Sequence, residues 1–427
     1  MATLEQTPNL QSATHTANQQ PTYDLICVGF GPAQLATAIA LRDSHSQARV
    51  LFLERKPEFS WHPSSILPRT RMENAFVYDL ATTRNPRSEF TYVNYLHTKE
   101  RIVEFANMSI LQPLREEFDE YLKWCAEKFQ GVTKYGSEAV GIVPIREEGM
   151  PVKQWTVAVK DSKSGSQYVV RARSIAVPSP AFKDRHLQQS LLGIPSGQSV
   201  ISTEEYLERR QELRLPREPR LNTSVVGSSD QSIEILDDLL KCPQLGNITF
   251  ITESEALAPL KILNDEASRP PPRLCSIWAR PSSEPAPSLA NSSELIKSIY
   301  ASAYEKQVAS KGHYSLHVVM AKDAAEPSLQ SDIAIVEKQD ASLSSSGLFH
   351  DVDPLILGCR QKGKSLEEVQ FKRGAVAEGC KMWMMSASSG GGRSLARDIA
   401  VRAGEVVDAL PLSDGGKEGV MVISARM

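Results

Sequence analysis

What the 427-residue sequence lacks narrows its class first. Cysteine is sparse: Cys27, Cys125, Cys242, Cys275, Cys359 and Cys380 are spread along the chain, with no CxxC pair among them. That excludes a small disulfide scaffold and reads as separate, reduced thiols of an intracellular protein. An excess of positive charge is also missing, since 48 Lys plus Arg face 51 Asp plus Glu for a formal net charge of −3. These totals carry no basic footprint for nucleic acid. Apolar runs such as Leu25-Ile26-Cys27-Val28 stay far below the ~20 residues that span a bilayer. Residues 1–22 have neither a basic start nor an apolar segment, so they read as a disordered N-terminal tail and not as a signal peptide. The resulting expectation is a cytoplasmic protein without membrane or nucleic-acid partners.

What is present is ordinary globular material, 41% hydrophobic and 23% charged, long enough for two to three domains at roughly 150 residues each. The apolar run Tyr23 to Val28 ends at a glycine-rich turn, GFGPAQ. A helix-compatible stretch, Ala36 to Leu41, follows, and then a second strand, Ala48 to Leu53, ending in Glu54. Strand, turn, helix, strand and terminal acid make a Rossmann half. In it Gly29 serves the tight turn, Gly31 lets the backbone approach a diphosphate at the helix N-terminus, and Glu54 accepts from ribose hydroxyls. The third fingerprint position holds Gln34 instead of glycine. Residues 112–129 place apolar side chains at spacings of three and four, an amphipathic helix packed on a sheet. Alternation over 152–177 predicts a hairpin outside the first parallel sheet.

A second Rossmann-like beginning lies at Ser224 to Gly227, with a helix from Gln231 to Leu240 and a strand at Ile248 to Thr252. Prolines and serines make 259–290 an irregular loop, and helical character returns over 291–308. His313 and His317 fall in a stretch that reads as well as a strand, so no metal site is expected. A strand near Met382 to Met385, the loop SSGGGRS and a helix from Leu395 to Ala409 complete the organisation, with VMVISA as a strand-like close.

The words DLICVGFGPAQLA, FLERKPEFSWH, DLATTRNPRS, NYLHTKERIVEF, LREEFDEYLKWCAEKF and IAVRAGEVV give the chain its resemblance. It resembles the flavin-dependent N-hydroxylating monooxygenases, especially the fungal L-ornithine N5-monooxygenases of siderophore synthesis. The match is dense over residues 23–146 and thins afterwards. The resemblance implies an α/β fold with two Rossmann-like dinucleotide-binding domains. FAD would take residues 23–190 and 346–427, and an inserted NADPH-binding-like domain would take 191–345. It also implies the chemistry: reduced flavin and dioxygen form a C4a-hydroperoxyflavin, whose distal oxygen is attacked by a neutral amine of the substrate. Carried over by position, Gly29, Phe30, Gly31, Pro32, Ala33 and Glu54 bind FAD. Trp61, His62, Met72, Glu73 and Phe76 fall in the flavin-facing segment, with Glu73 where the family favours glutamine. Gly390 and Leu395 keep step with its C-terminal flavin word. Lys99 matches a lysine that pairs with the substrate carboxylate, and as a bare residue it equally reads as a surface lysine beside Glu100.

Departures gather in the second half. VVGSSDQSIE at 225–234 stands against a family pattern close to VxGSGQSAxE. Gly227, Ser228 and Gln231 remain compatible with a nucleotide turn, but Ser229 crowds the second glycine position and Asp230 adds negative charge beside a phosphate. Thr252 stands where the ornithine enzymes have an arginine suited to the 2′-phosphate of NADPH. SIAVPSPAF and PLILGCRQK occupy the places of glycine-bearing strand ends. NADPH is thereby disfavoured but not removed as a cofactor. The expected function is FAD-dependent monooxygenation, N-hydroxylating an amine or amino-acid-derived substrate. Two alternatives stay open: a flavoenzyme that oxidises, rearranges or cyclises without NADPH, and a non-catalytic flavoprotein scaffold. A homo-oligomer is compatible with either.

Overall fold

The computed structural model describes residues 22–61, 67–72, 74–146, 149–178, 199–227, 230–252, 293–320, 331–337, 345–362, 366–385 and 395–410. Among the sequence expectations, residues 1–21 of the tail, loop 259–290, the closing VMVISA, His62, Glu73, Ser228, Ser229 and Gly390 lie outside them.

The chain opens with β1 (Tyr23–Val28), α1 (Pro32–Asp43) and β2 (Val50–Leu53). Three further helices follow, α2 (Tyr92–Thr98), α3 (Ile102–Asn107) and α4 (Arg115–Ala126), then β3 (Thr133–Lys134), β4 (Ser137–Ile145), β5 (Gln154–Asp161) and β6 (Gln167–Pro178). β1 is buried along its middle because both faces are covered, as a central parallel strand requires. Leu25 and Cys27 face a core built with α1, α4 and the C-terminal helix, while Ile26 faces a second core around Trp155 and Met382.

The next stretch forms its own sheet. β7 (Ser199–Ser202), α5 (Tyr206–Leu213), β8 (Thr223–Val226), α6 (Asp230–Leu240), β9 (Ile248–Thr252), α7 (Ser293–Ala309), β10 (Leu316–Met320) and β11 (Ile333–Val336) alternate. Their five strands lie in the order β10-β9-β8-β11-β7, all parallel. The chain then returns to the first sheet with β12 (Ile356–Lys362), β13 (Leu366–Phe371) and β14 (Met382–Met385), and α8 (Ile399–Ala409) packs on α1. The first sheet has nine strands, seven of them in the order β12-β13-β14-β6-β1-β2-β3, with β5 on β6 and β4 on β5.

Two expectations change. The 152–177 hairpin does not lie outside the first parallel sheet, because β6 runs parallel beside β1, with Leu25 opposite Ser174 and Cys27 opposite Ala176. β6 is twelve residues long, so on its other side it can serve β5 with its first half and β14 with its second. PLILGCRQK, expected at a nucleotide-facing strand end, is instead β12, an edge strand paired antiparallel to β13. The strand beside β8 at that place is β11. Among the described residues no helix is long and apolar enough to cross a membrane.

Candidate functional site

The first glycine turn is set by one left-handed residue. Gly29 has φ +81°, a region that costs a side-chain-bearing residue about 1–2 kcal/mol, and its N–H donates to the Leu53 carbonyl at 2.7 Å. The next N–H, that of Phe30, donates to Glu54 Oε2 at 2.6 Å, while Glu54 Oε1 accepts from the Lys56 N–H at 2.9 Å. The carboxylate expected on the ribose thus also braces the turn. Gly31 is extended, and the nearest atom to a Cβ built on it is Gln34 Oε1 at 3.9 Å. Pro32 takes the first helical position, where its missing N–H costs nothing. α1 has no side-chain cap and no acid in its first turn, so its N-terminal N–H groups are offered to an anion. Phe30 and Ala33 are buried, with Phe30 packed on Phe52 and edge-on to Phe59. These residues fit the diphosphate of FAD.

Around this turn the described family residues are mostly packed. Trp61 is 5% exposed, angled against Phe118 and lying under the Arg115 guanidinium, 5.7 Å from the ring centre. Met72 is buried and its N–H donates to the Pro113 carbonyl at 2.9 Å. Asn74, which sequence reasoning missed, ties the C-terminal return to this segment. Its Nδ2 donates to the Leu395 carbonyl at 2.7 Å and its Oδ1 accepts from Arg397 Nε at 2.9 Å. The DLATTRNPRS word is organised by Asp79, whose carboxylate accepts from the N–H groups of Ala81, Thr82 and Tyr92. Burial pushes the Asp79 carboxyl up, against the pull of those donors.

Lys99 follows α2 and pairs with Glu120, Nζ to Oε1 at 2.7 Å, and not with its neighbour Glu100. Glu120 also takes Arg101 at 2.9 Å. Partial burial works upward on Glu120, but donors from Lys99, Arg101 and Tyr95 outweigh it and hold the carboxyl at about 2. A substrate carboxylate reaching Lys99 therefore competes with a resident one. A surface depression of about 340 Å³ near this segment is lined by Glu89, His97 and Trp124. Glu89 pairs with Arg42 in the last turn of α1, so the depression sits at the opposite end of that helix from the glycine turn.

The second turn is built differently. Gly227 donates to the Ile251 carbonyl at 3.1 Å, but a Cβ on it would collide with Ser232 Oγ and lie 2.6 Å from Glu337 Oε2. Ser232 donates to that same carboxylate oxygen at 3.2 Å. Glu337 directly follows β11, and its N–H donates to the Val226 carbonyl at 3.0 Å. A carboxylate thus stands at the C-terminal ends of β8 and β11, the crevice where strand order reverses and nucleotides bind in such sheets. Gln231 donates to the Thr203 carbonyl at 3.1 Å, and Thr252 is 1% exposed at the end of β9. Asp230 begins α6. From the middle of α6, Glu234 meets Arg115 of α4, with Nη1 at 3.0 and 2.9 Å from its two oxygens and both side chains 2% exposed. Glu337, Arg115 and Glu234 were missed from sequence. A charge between Ile233 and Ile235 was the available signal for Glu234. Among the described residues no group of three or more His, Cys, Asp or Glu could hold a metal ion.

Residues 21–346 match the family described as L-lysine 6-monooxygenase/L-ornithine 5-monooxygenase, well over half of the chain. The chain belongs to this family of flavin-dependent N-hydroxylating monooxygenases. Among its relatives, an L-ornithine N(5)-monooxygenase of Ajellomyces capsulatus is 38% identical over 255 residues, 58% of this chain and 52% of that protein. One of Emericella nidulans is 29% identical over 450 residues, 91% of this chain and 89% of that protein. The chain spans about half the length of the first curated relatives that it matches. The solved ornithine hydroxylase of Pseudomonas aeruginosa shares the fold, at TM-score 0.65 and 24% identity, covering 91% of this chain and 99% of that one. The monooxygenase fold of the family, α/β with Rossmann-like nucleotide domains, is therefore the fold of this chain.

Proposed function

We propose that this family member is an FAD-dependent monooxygenase that N-hydroxylates an amine or amino-acid-derived substrate with dioxygen. The observation that carries the reading is the first glycine turn: left-handed Gly29, open Gly31, an uncapped α1 and Glu54 together. Family membership and relatives named as L-ornithine N(5)-monooxygenases support the amine side of it. FAD belongs to 23–190 and 346–427, and 191–345 forms the second, nucleotide-type unit. Bound FAD supplies the redox chemistry that activates dioxygen toward an amine nitrogen. The chain's own residues hold and shield it. Gly29, Phe30, Gly31, Pro32 and Ala33 present backbone to its diphosphate, and Glu54, whose two oxygens accept from the Phe30 and Lys56 N–H groups, keeps lone pairs for a ribose hydroxyl. Asn74 ties the C-terminal return, through the Leu395 carbonyl, to the flavin-facing segment that carries buried Trp61 and Met72. Lys99, released from Glu120, anchors a substrate carboxylate.

The second turn sets the Glu337 carboxylate and Ser232 Oγ beside Gly227, a negative charge that opposes a dinucleotide diphosphate there. That observation favours a second reading, a flavoenzyme reduced poorly or not at all by NADPH. Purified protein separates the readings. A flavin absorbance band with FAD released on denaturation supports the cofactor, and its absence overturns the proposal. Anaerobic bleaching by NADPH, followed by amine-dependent oxygen uptake, supports N-hydroxylation; a bound flavin that NADPH leaves oxidised supports the second reading.

A further inference from the structure

Arg397, just before the N-cap of α8, is an arginine held in place without an acid to hold it. Its Nε donates to Asn74 Oδ1 at 2.9 Å, and its guanidinium carbon lies 5.3 Å from the centre of the Tyr78 ring. Asn74 is itself fixed, since its Nδ2 donates to the Leu395 carbonyl at 2.7 Å, and Tyr78 ends the one-turn helix Phe76–Tyr78. The carboxylate next in sequence, that of Asp398, is taken by Arg402, whose Nη2 lies 3.0 and 2.9 Å from its two oxygens. Among the described residues Arg397 therefore has no carboxylate partner, and its Nη1 and Nη2 make no hydrogen bond.

Fixing a long side chain costs rotamer entropy, which an arginine that only meets water does not need to lose. Here an amide and an aromatic face set the guanidinium, and neither neutralises it. The contact with Asn74 uses Nε, so the edge formed by Nη1 and Nη2 stays ready for a planar anion, with two parallel hydrogen bonds. The other cations of this region are committed. Lys99 Nζ is 2.7 Å from Glu120 Oε1, and Arg71 spends Nη1 on the Gln112 carbonyl at 2.8 Å. Arg397 also joins the two pieces that the family resemblance sets against the flavin, the segment of Met72 and Phe76 and the C-terminal word of Leu395.

We propose that Nη1 and Nη2 of Arg397 bind the carboxylate of an amino-acid substrate whose amine is brought to the flavin, making Arg397 a specificity-determining residue. The inference rests on the amine-hydroxylating reading and deepens it. Arg397 is the cation ready for the carboxylate, and Lys99 joins it only on release from Glu120.

The test uses the full chain with FAD bound. L-ornithine and L-lysine carry the carboxylate, and putrescine and cadaverine are the same diamines without it. Calorimetry without NADPH reads binding apart from turnover, on Arg397→Gln, which removes the charge, and on Arg397→Lys, which keeps charge but loses the fork. Arg397→Gln is expected to weaken the two amino acids by about tenfold to a hundredfold, the range for hydrogen bonds to a charged group, with the diamines, the flavin content and the melting temperature unchanged. Arg397→Lys should recover part of that loss. In turnover, KM for the amino acid should rise with kcat nearly constant. Equal amino-acid affinities in Arg397→Gln and the unaltered chain would overturn the anchor. Weaker binding of all four ligands alike, or loss of FAD, would also overturn it, showing a support for the flavin-facing segment instead. Diamines bound by the unaltered chain as tightly as the amino acids would overturn it and leave amine hydroxylation standing. An unaltered chain that binds none of the four would overturn the amine reading and this inference together.

Discussion

At Gly31 the backbone is extended and the space beside it is open, whereas at Gly29 the conformation itself demands glycine. Substitution should therefore separate two effects. Gly31→Val should leave a folded chain, within about 1 kcal/mol of the original as for other helix N-cap changes, yet retain no FAD, because its branches fill the diphosphate approach. Gly29→Ala should lose both flavin and about 1–2 kcal/mol of stability. Flavin content and thermal melts on the two variants check this; unaltered FAD occupancy in Gly31→Val counts against the assignment. Lys99 offers a second pair of variants. Lys99→Ala should raise KM for an amino-acid substrate with flavin content unchanged, and Glu120→Gln should lower KM by freeing the ammonium. Initial-rate kinetics on both settle whether Lys99 anchors a carboxylate. Glu120 also has a pH consequence. Its folded value of about 2 lies below the roughly 4.3 of an unfolded glutamate. The ion pairs thus stabilise the fold above that unfolded value and fade as pH falls toward about 2. Its side chain is 38% exposed, so solvent screening holds the contribution to about 1 kcal/mol or less. Acid unfolding at low salt should begin slightly earlier in the unaltered chain, relative to its own neutral stability, than in Glu120→Gln.

Between elements, one contact ties the two sheets' helices together in a way that charge counting does not show. Arg115 at the start of α4 and Glu234 in α6 are paired out of water, with the Trp61 ring beside the guanidinium. Removing one partner leaves the other charged and buried, at a cost of about 3–5 kcal/mol, whereas replacing both with apolar residues is close to neutral. Arg115→Met should therefore lower the denaturation midpoint sharply, and Arg115→Met with Glu234→Leu should recover most of it. A double-mutant cycle in urea measures the coupling; independent, small effects would show that the pair does not join α4 to α6. This contact marks the limit of what element-level sequence reading reaches. β1, β9 and β14 are legible to the residue, because each is an apolar run bounded by turn residues. The helix begun at Ala36 in the sequence reading starts at Pro32, since a proline at the first helical position is helix-compatible despite its missing N–H. The hairpin at 152–177 was legible as two strands but not as a neighbour of β1, because alternation records which face a residue takes and nothing about which strand lies alongside. Arg115 and Glu234 stand 119 residues apart, and no local pattern couples them.

On the scale of the whole molecule, the same limit decides the second nucleotide site. The sequence placed the difficulty at Ser229 and Asp230 within the motif and at Thr252 at the end of the next strand, and the topology adds Glu337, 110 residues downstream of Gly227, because β11 lies beside β8. Thr252, where an arginine was the expected phosphate partner, is a short side chain at 1% exposure at the end of β9. The informative change is at the carboxylate. In the unaltered chain NADPH should bind weakly, since the Glu337 charge, hydrogen-bonded by Ser232, stands beside Gly227 and repels a phosphate brought to that turn. Glu337→Gln with Ser232→Ala removes the charge and opens the approach, and should tighten NADPH by about tenfold, the scale of one like-charge contact relieved near a surface. Salt gives an independent sign. Raising ionic strength screens repulsion, so affinity in the unaltered chain should rise or stay flat with salt, while the double variant should turn to the ordinary fall expected for attraction to a phosphorylated ligand. Equilibrium titration with NADPH at two salt concentrations, paired with stopped-flow flavin reduction, reads both. Fast reduction of the unaltered chain at low micromolar NADPH, weakening with salt, would mean that Glu337 swings clear of the crevice and that the second sheet serves the monooxygenase as a working reductase site.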